Sequence, residues 1–352
     1  MKALILGDLF ITNDVLKLEL ENAFADSGIT FEYEFRTNEW PVKPVEHNNE
    51  IREFVGPDDD IVPLAADAEI IFTHSAGVTR RVIEAAHKLR VIGAARGGPV
   101  NINAAACTER GIPVVYAPGR NSGAVAEFTV GMILAATRNI PLAHGSLTRE
   151  RRWRGDLYVY EKVGPELNSS VVGLIGFGAI GRKVAFILKA FGARIMAYDP
   201  YASPTQMASL GVEVADLDDV LKHSDIISMH ARLSLESEEM IGAREINLMK
   251  SSAYLVNTAR GELIDHGALY DALGKKRIAG AALDVFEAEP PPEESPIYGL
   301  GNVVATTHLG GASKQAAKIG ANIAAKEIYK IITGTDGPDY CVNPVVFEST
   351  DK

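Results

Sequence analysis

The sequence predicts an α/β protein in two domains, each built on a parallel sheet. Three observations carry that reading. The chain has 352 residues, enough for two ordinary cores. Short β-rich runs alternate with helical patterns along its length, as in layered folds around parallel strands. One apolar strand candidate also runs straight into a glycine-rich turn and an amphipathic helix, opening a second self-contained alternating block.

In the first third, 2–6, 69–72, 90–94 and 113–116 read as strands, and 14–25, 79–86 and 102–110 as helices, the last stopped by Gly111. The stretch 37–60 has three prolines, seven acidic residues and poor periodicity, which predicts exposed connecting structure. A long helix is expected over 124–138 and a second helical piece over 142–149. The latter leads into a basic run of Arg149, Arg151, Arg152 and Arg154, where Trp153 is expected to anchor a solvated helix end. The strongest strand signal lies at 170–175, followed by strands at 194–197, 226–229, 253–257 and 278–282. Helices fit between them at 180–191, 217–223 and 265–273. The helical run 313–332 either closes the second domain or crosses back to the first.

Composition removes several function classes. Hydrophobic residues make up 47% and the net charge is -11, which describes a globular protein without general affinity for nucleic acid. A small anionic substrate would need local donors, because the overall field repels it. Two cysteines, Cys107 and Cys341, are too few for a disulfide scaffold or a metal cluster, so no metal is expected. No run approaches 18 apolar residues, so no membrane span is expected. The start, MKALILGDLF, reads as a buried strand with no small-residue cleavage site, and a cytoplasmic protein is the expectation.

The glycine-rich turn has the G-x-G-x-x-G spacing at Gly176, Gly178 and Gly181, with Ala179 and Ile180 opening the helix. Gly176 suits the tight turn, Gly178 leaves room for a diphosphate, and Gly181 lets helix and sheet approach. Free N–H groups at the helix start suit the diphosphate charge. Asp199 ends the next strand, where a carboxylate can accept from an adenosine ribose diol and repel a 2′-phosphate. NAD is therefore the expected cofactor.

Four polar residues interrupt the strand or turn signals downstream: Arg260, Asp284, Glu289 and His308. Reduction of a 2-keto acid needs a cation for the carboxylate and ketone, and a proton donor for the developing alkoxide. Arginine suits the first task by its planar fork, and a histidine held protonated by a carboxylate suits the second. Each also has a plainer reading: Asp284 as a turn former, Glu289 as loop surface, His308 as a structural histidine.

Several separated segments together resemble the D-isomer-specific 2-hydroxyacid dehydrogenase family. They are Arg96-Gly97-Gly98-Pro99, Ala126-Glu127-Phe128-Thr129, the glycine turn, the segment from Asn257 to Asp265, that from Ala281 to Pro290, and that from Thr306 to Gly311. The resemblance implies two Rossmann-like domains. The first would be a split, flavodoxin-like substrate domain of 1–120 completed by 315–352, and the second an inserted NAD-binding domain of 121–314. It implies Arg260 on the substrate carboxylate and carbonyl, Glu289 paired with His308, and His308 as acid in reduction and base in oxidation. Asp284 would meet the nicotinamide carboxamide, and the N–H groups at Gly97 and Gly98 the substrate carboxylate. It further implies a homodimer.

The chain departs from the family's pattern at Thr307, where proline is usual, and at His230-Ala231-Arg232, where H-x-P is common. His74, Ser75 and Ala76 stand where phosphoglycerate dehydrogenases tend to carry basic residues. The expected substrate is therefore a small, non-phosphorylated 2-hydroxy or 2-keto acid with Ser75 among its ligands. The short stretch beyond His308 is read as leaving no room for a C-terminal regulatory domain. The alternatives are a D-3-phosphoglycerate dehydrogenase and a nucleotide-sensing, corepressor-like interaction protein.

Overall fold

A computed structural model describes residues 1–350, which divide into two compact units. The first is Met1–Asn121 rejoined by the chain from Ala312 onward, and the second is Ser122–Gly311. Among the described residues no helix is long and apolar enough to cross a membrane.

The first unit holds strands β1 (Lys2–Gly7), β2 (Glu32–Thr37), β3 (Ile70–Thr73), β4 (Val91–Ala94) and β5 (Val114–Tyr116). All pair in parallel in the order β2-β1-β3-β4-β5, the flavodoxin-like arrangement. β3 and β4 are buried along their whole length because helices cover both faces of the sheet. Leu4, Leu6, Ile71, Ile92 and Val114 fill one side; Ile5, Phe72, Val91 and Val115 fill the other with Ala321 and Ile328. Each such buried aliphatic side chain is worth roughly 1.5–3 kcal/mol. The helix Lys314–Thr333 thus packs on the first unit's sheet; Ser313 caps its start and Gly334, at φ 66°, its end.

The segment 37–60 departs from its exposed expectation. Ile51, Phe54 and Val55 are buried, and Glu46 bridges Phe54. Their apolar side chains are spaced too irregularly to register as an element.

The second unit holds β6 (Val171–Ile175), β7 (Arg194–Tyr198), β8 (Glu213–Val214), β9 (Ile226–Met229), β10 (Tyr254–Asn257), β11 (Gly280–Leu283) and β12 (Val303–Ala305). They form one parallel sheet in the order β12-β11-β10-β9-β6-β7-β8. Strand order reverses between β6 and β9 here, and between β1 and β3 in the first unit. Such reversals open a crevice beyond the carboxyl ends of the strands, and the chemistry-bearing residues of each unit gather there.

Trp153 does not anchor its segment. It is 83% exposed in the stretch that follows the helix Ile140–Thr148, while Arg154 pairs with Asp156.

Candidate active site

In the second unit, β6 ends and the chain turns at Gly176 with φ 98°. A side chain there would meet the His230 and Ala231 backbone, so conformation and space both require glycine. A Cβ at Gly181 would strike the Gly176 carbonyl, which sets the close approach of helix and turn. Gly178 caps the helix Ala179–Ala190 with no side-chain hydrogen bond, and nothing lies within 4 Å of where its Cβ would stand. An uncapped helix start beneath open space fits a diphosphate. Asp199 accepts from the N–H groups of Phe177 (2.6 Å), Tyr201 (2.8 Å) and Ala202 (3.1 Å). The acid therefore also braces the glycine turn from the next strand, a task its position alone did not disclose.

At the end of β10, Asn257 accepts from the Ala259 N–H at 3.0 Å and donates to the Arg260 carbonyl at 2.7 Å, closing a tight turn. Arg260 is exposed on that turn, touches its neighbour Ala259 through one Nη1 bond, and pairs with no carboxylate among the described residues. At the next residue, a Cβ on Gly261 would collide with the Phe286 backbone. This contact packs the arginine turn against the segment that follows β11 and carries Glu289. Thr258 supports the turn from below through its hydroxyl, 2.7 Å from that of Thr129. Thr129 gives its own proton to the Val125 carbonyl, so Thr258 is the donor between them.

His308 lies just past β12. Its Nδ1 is 2.7 Å from Glu289 Oε2, and Glu289 Oε1 accepts from the Phe286 N–H at 3.1 Å. The Glu289 hydrogen bond raises the imidazole pKa above its ordinary value, against burial and the Arg260 charge. Burial pushes Glu289 upward, but His308, the Phe286 N–H and Arg260 together hold it below its usual range. Among the described residues Nε2 has no partner, so the ring presents that nitrogen outward.

The His308 backbone sits in the left-handed region at φ 56°, which costs a residue with a Cβ roughly 1–2 kcal/mol. Asp284 holds it there. Its carbonyl accepts from the His308 N–H (2.9 Å), Oδ1 from Leu309 N–H (2.8 Å) and Thr306 Oγ1 (2.6 Å), and Oδ2 from Gly310 N–H (2.7 Å). A buried carboxylate with three donors of its own is a rigid post beneath the imidazole. The second unit thus brings Arg260, Asp284, Glu289 and His308 together.

A second polar cluster occupies the strand ends of the first unit. Asp8, at the end of β1, is fully buried and accepts four bonds. These come from Phe10 N–H (2.9 Å), Ile11 N–H (2.8 Å), Ser75 Oγ (2.6 Å) and His74 Nδ1 (2.6 Å). Burial drives the His74 pKa down despite the pull of Asp8, so the ring is neutral with its proton on Nδ1. Its Nε2 then accepts from Arg120 Nη2 at 3.1 Å. Ser75 is buried, gives its hydroxyl proton to Asp8 and accepts from Asn38 Nδ2 at 3.0 Å, so that hydroxyl turns inward. Beside them, Gly97 and Gly98 are exposed, and their N–H groups have no acceptor among the described residues. Neither Asp8 nor Arg120 was singled out in the sequence; an acid directly ending a buried strand was the one available signal.

Residues 130–310 match the family described as D-isomer specific 2-hydroxyacid dehydrogenase, NAD binding domain. The chain is 42% identical over 296 residues to the D-3-phosphoglycerate dehydrogenase of Methanocaldococcus jannaschii, covering 83% of this chain and 55% of that protein. It is 39% identical over 272 residues to the glyoxylate reductase of Thermofilum pendens, covering 77% and 80% respectively. Its fold is similar to the NAD-complexed D-isomer specific 2-hydroxyacid dehydrogenase of Lactobacillus delbrueckii ssp. bulgaricus. That likeness has a TM-score of 0.79 at 26% identity and covers 97% of this chain and 100% of the other. The chain spans about half the length of the phosphoglycerate dehydrogenases it matches.

Proposed function

We propose that this chain, which belongs to the D-isomer-specific 2-hydroxyacid dehydrogenase family, catalyses NAD-dependent, reversible hydride transfer at C2 of a small, non-phosphorylated 2-hydroxy or 2-keto acid. The observation that carries the reading is the His308–Glu289 pair, with its imidazole pKa raised and Nε2 left free, in the same unit as an unpaired Arg260.

Gly176, Gly178, Ala179, Ile180 and Gly181 would hold the dinucleotide phosphates by backbone N–H groups, and Asp199 the adenosine ribose. Asp284, besides bracing the His308 turn, would meet the nicotinamide carboxamide. Bound there, the nicotinamide supplies or accepts the hydride, which no side chain can do. Arg260 orients the carboxylate and polarises the carbonyl through its fork, and the N–H groups of Gly97 and Gly98 neutralise carboxylate charge. In reduction His308 gives the Nε2 proton to the oxygen on C2; in oxidation Nε2 takes it back, with Glu289 stabilising the imidazolium. Ser75 serves the substrate indirectly, by locking Asp8 and His74 behind that region of the first unit.

We read the protein as a cytoplasmic homodimer without a nucleic-acid partner. Exposed Trp153, Tyr158 and Tyr160 support a partner surface, and the charge of -11 speaks against nucleic acid. Light scattering on the purified chain tests the dimer. The activity is tested by following NADH formation with a panel of D- and L-2-hydroxy acids. Turnover restricted to D-acids is expected, and NAD binding without turnover of any of them overturns the proposal.

A further inference from the structure

Arg120 follows β5 in the segment Pro118-Gly119-Arg120-Asn121 and folds back over its own unit. Its guanidinium lies 5.8 Å from the Phe10 ring centre, and Nη2 donates to His74 Nε2 at 3.1 Å. The stem is pressed so closely on the helix Lys314–Thr333 that a Cβ at Gly320 would stand 2.6 Å from Arg120 Cδ. Nη1 is buried and has no hydrogen-bond partner. A guanidinium nitrogen taken from water and left without an acceptor is unfavourable by itself.

The surroundings sharpen the point. Asp8, the acid behind Arg120, is engaged by four donors; its hydrogen bonds reach the arginine through the neutral His74 ring, and its charge only partly offsets the downward shift of Arg120. Arg96 adds a second positive charge nearby, and together with burial it pulls the Arg120 pKa down to about 10. Arg96 itself is occupied by the Glu53 carboxylate and carbonyl. The cluster therefore lacks one thing, an anionic acceptor at Nη1. The unmatched Nη1 protons of a guanidinium suit a carboxylate oxygen. A phosphate dianion would need further cations, and the neighbouring one is spent.

We propose that Arg120, oriented by His74 and Asp8, is a carboxylate-binding residue of the first unit, and that the substrate is a 2-hydroxy acid carrying a second carboxylate. This rests on the dehydrogenase reading, in which Arg260 and the Gly97 and Gly98 N–H groups already account for the carboxylate next to C2. Arg120 is a charge in excess of what a monocarboxylic acid requires.

The test compares kcat/KM with NAD for D-lactate and D-glycerate against D-malate and D-2-hydroxyglutarate, with 3-phosphoglycerate as a further arm. The wild-type chain is expected to favour a diacid. Arg120→Gln is expected to lose about tenfold to hundredfold on diacids, mainly in KM, and to leave monoacids nearly unchanged. Equal losses on both classes, or a wild-type preference for 3-phosphoglycerate, overturn the proposal. Malonate, a probe that undergoes no turnover, should raise the melting temperature of the wild type and not of Arg120→Gln; an equal rise in both counts against the subsite. If no hydroxy acid reacts, the dehydrogenase reading fails while the malonate contrast still decides the subsite. Should Arg120→Gln lack a cooperative melt, Arg120→Lys, which keeps charge and loses the fork, replaces it in every arm.

Discussion

Each unit contains a histidine whose Nδ1 meets a carboxylate at almost the same distance, 2.7 Å for His308–Glu289 and 2.6 Å for His74–Asp8. Their protonation runs in opposite directions, raised for His308 and lowered for His74. Contact geometry does not separate them. The His308 side chain is 49% exposed, and its acid accepts one other bond, so a charged ring is tolerated and favoured. The His74 side chain is 5% exposed, its acid is shared among four donors, and its far nitrogen faces an arginine. On the proposed function one pair passes a proton, and the other holds an arginine in place. A histidine–carboxylate contact identifies an acid–base group only when the second nitrogen is free and the ring can carry charge.

The largest test of this contrast removes each ring. His308→Ala is expected to lower turnover by about 10²–10⁴-fold while coenzyme affinity stays nearly constant. His74→Ala should instead act through Arg120, raising KM for the substrate with a smaller effect on kcat. If the two variants show the same split, the distinction between the pairs is lost.

Arg260→Lys comes next. It keeps the charge but not the fork, and a charge-assisted hydrogen bond is worth about 1.5–3 kcal/mol, so kcat/KM should fall roughly 10–100-fold. Keto-acid kinetics like those of the wild type would remove Arg260 from the substrate. A smaller effect is expected at Asp199→Ser, which should narrow the preference for NAD over NADP, mostly by weakening NAD. Because Asp199 also holds the Phe177 N–H, its loss should lower stability by about 1 kcal/mol, read as a lower melting temperature. Equal use of both coenzymes by the wild type would contradict the assignment of the ribose site.

Legibility in the sequence followed burial and continuity. The central strands, such as β3, β4 and β9, are buried throughout and mostly apolar because both faces are covered, and they stand out. Of the four edge strands, β5 was legible and the other three escaped. β2, Glu-Tyr-Glu-Phe-Arg-Thr, is half exposed and polar on alternate positions, while β8 and β12 are too short to show a period. The site divides the same way. Arg260, Glu289 and His308 stand out as candidates because each sits in a compact local motif. The His74 cluster is assembled from Asp8, Asn38, His74 and Arg120, residues far apart in sequence that meet only through the parallel sheet. Asp284 was singled out for the nicotinamide alone; its hydrogen bonds to the 306–310 turn depend on a left-handed histidine that no spacing discloses.

The measurement closest to the central claim is the pH profile of kcat/KM for keto-acid reduction, in the wild type and in Glu289→Gln. In the proposed mechanism reduction uses a protonated His308, so the rate should hold below its raised pKa and fall as pH rises through it. Neutralising residue 289 removes the group that favours the imidazolium, and the falling limb should move to lower pH. A limb that stays where it was would show that the Glu289–His308 pair does not set the proton used in the reaction.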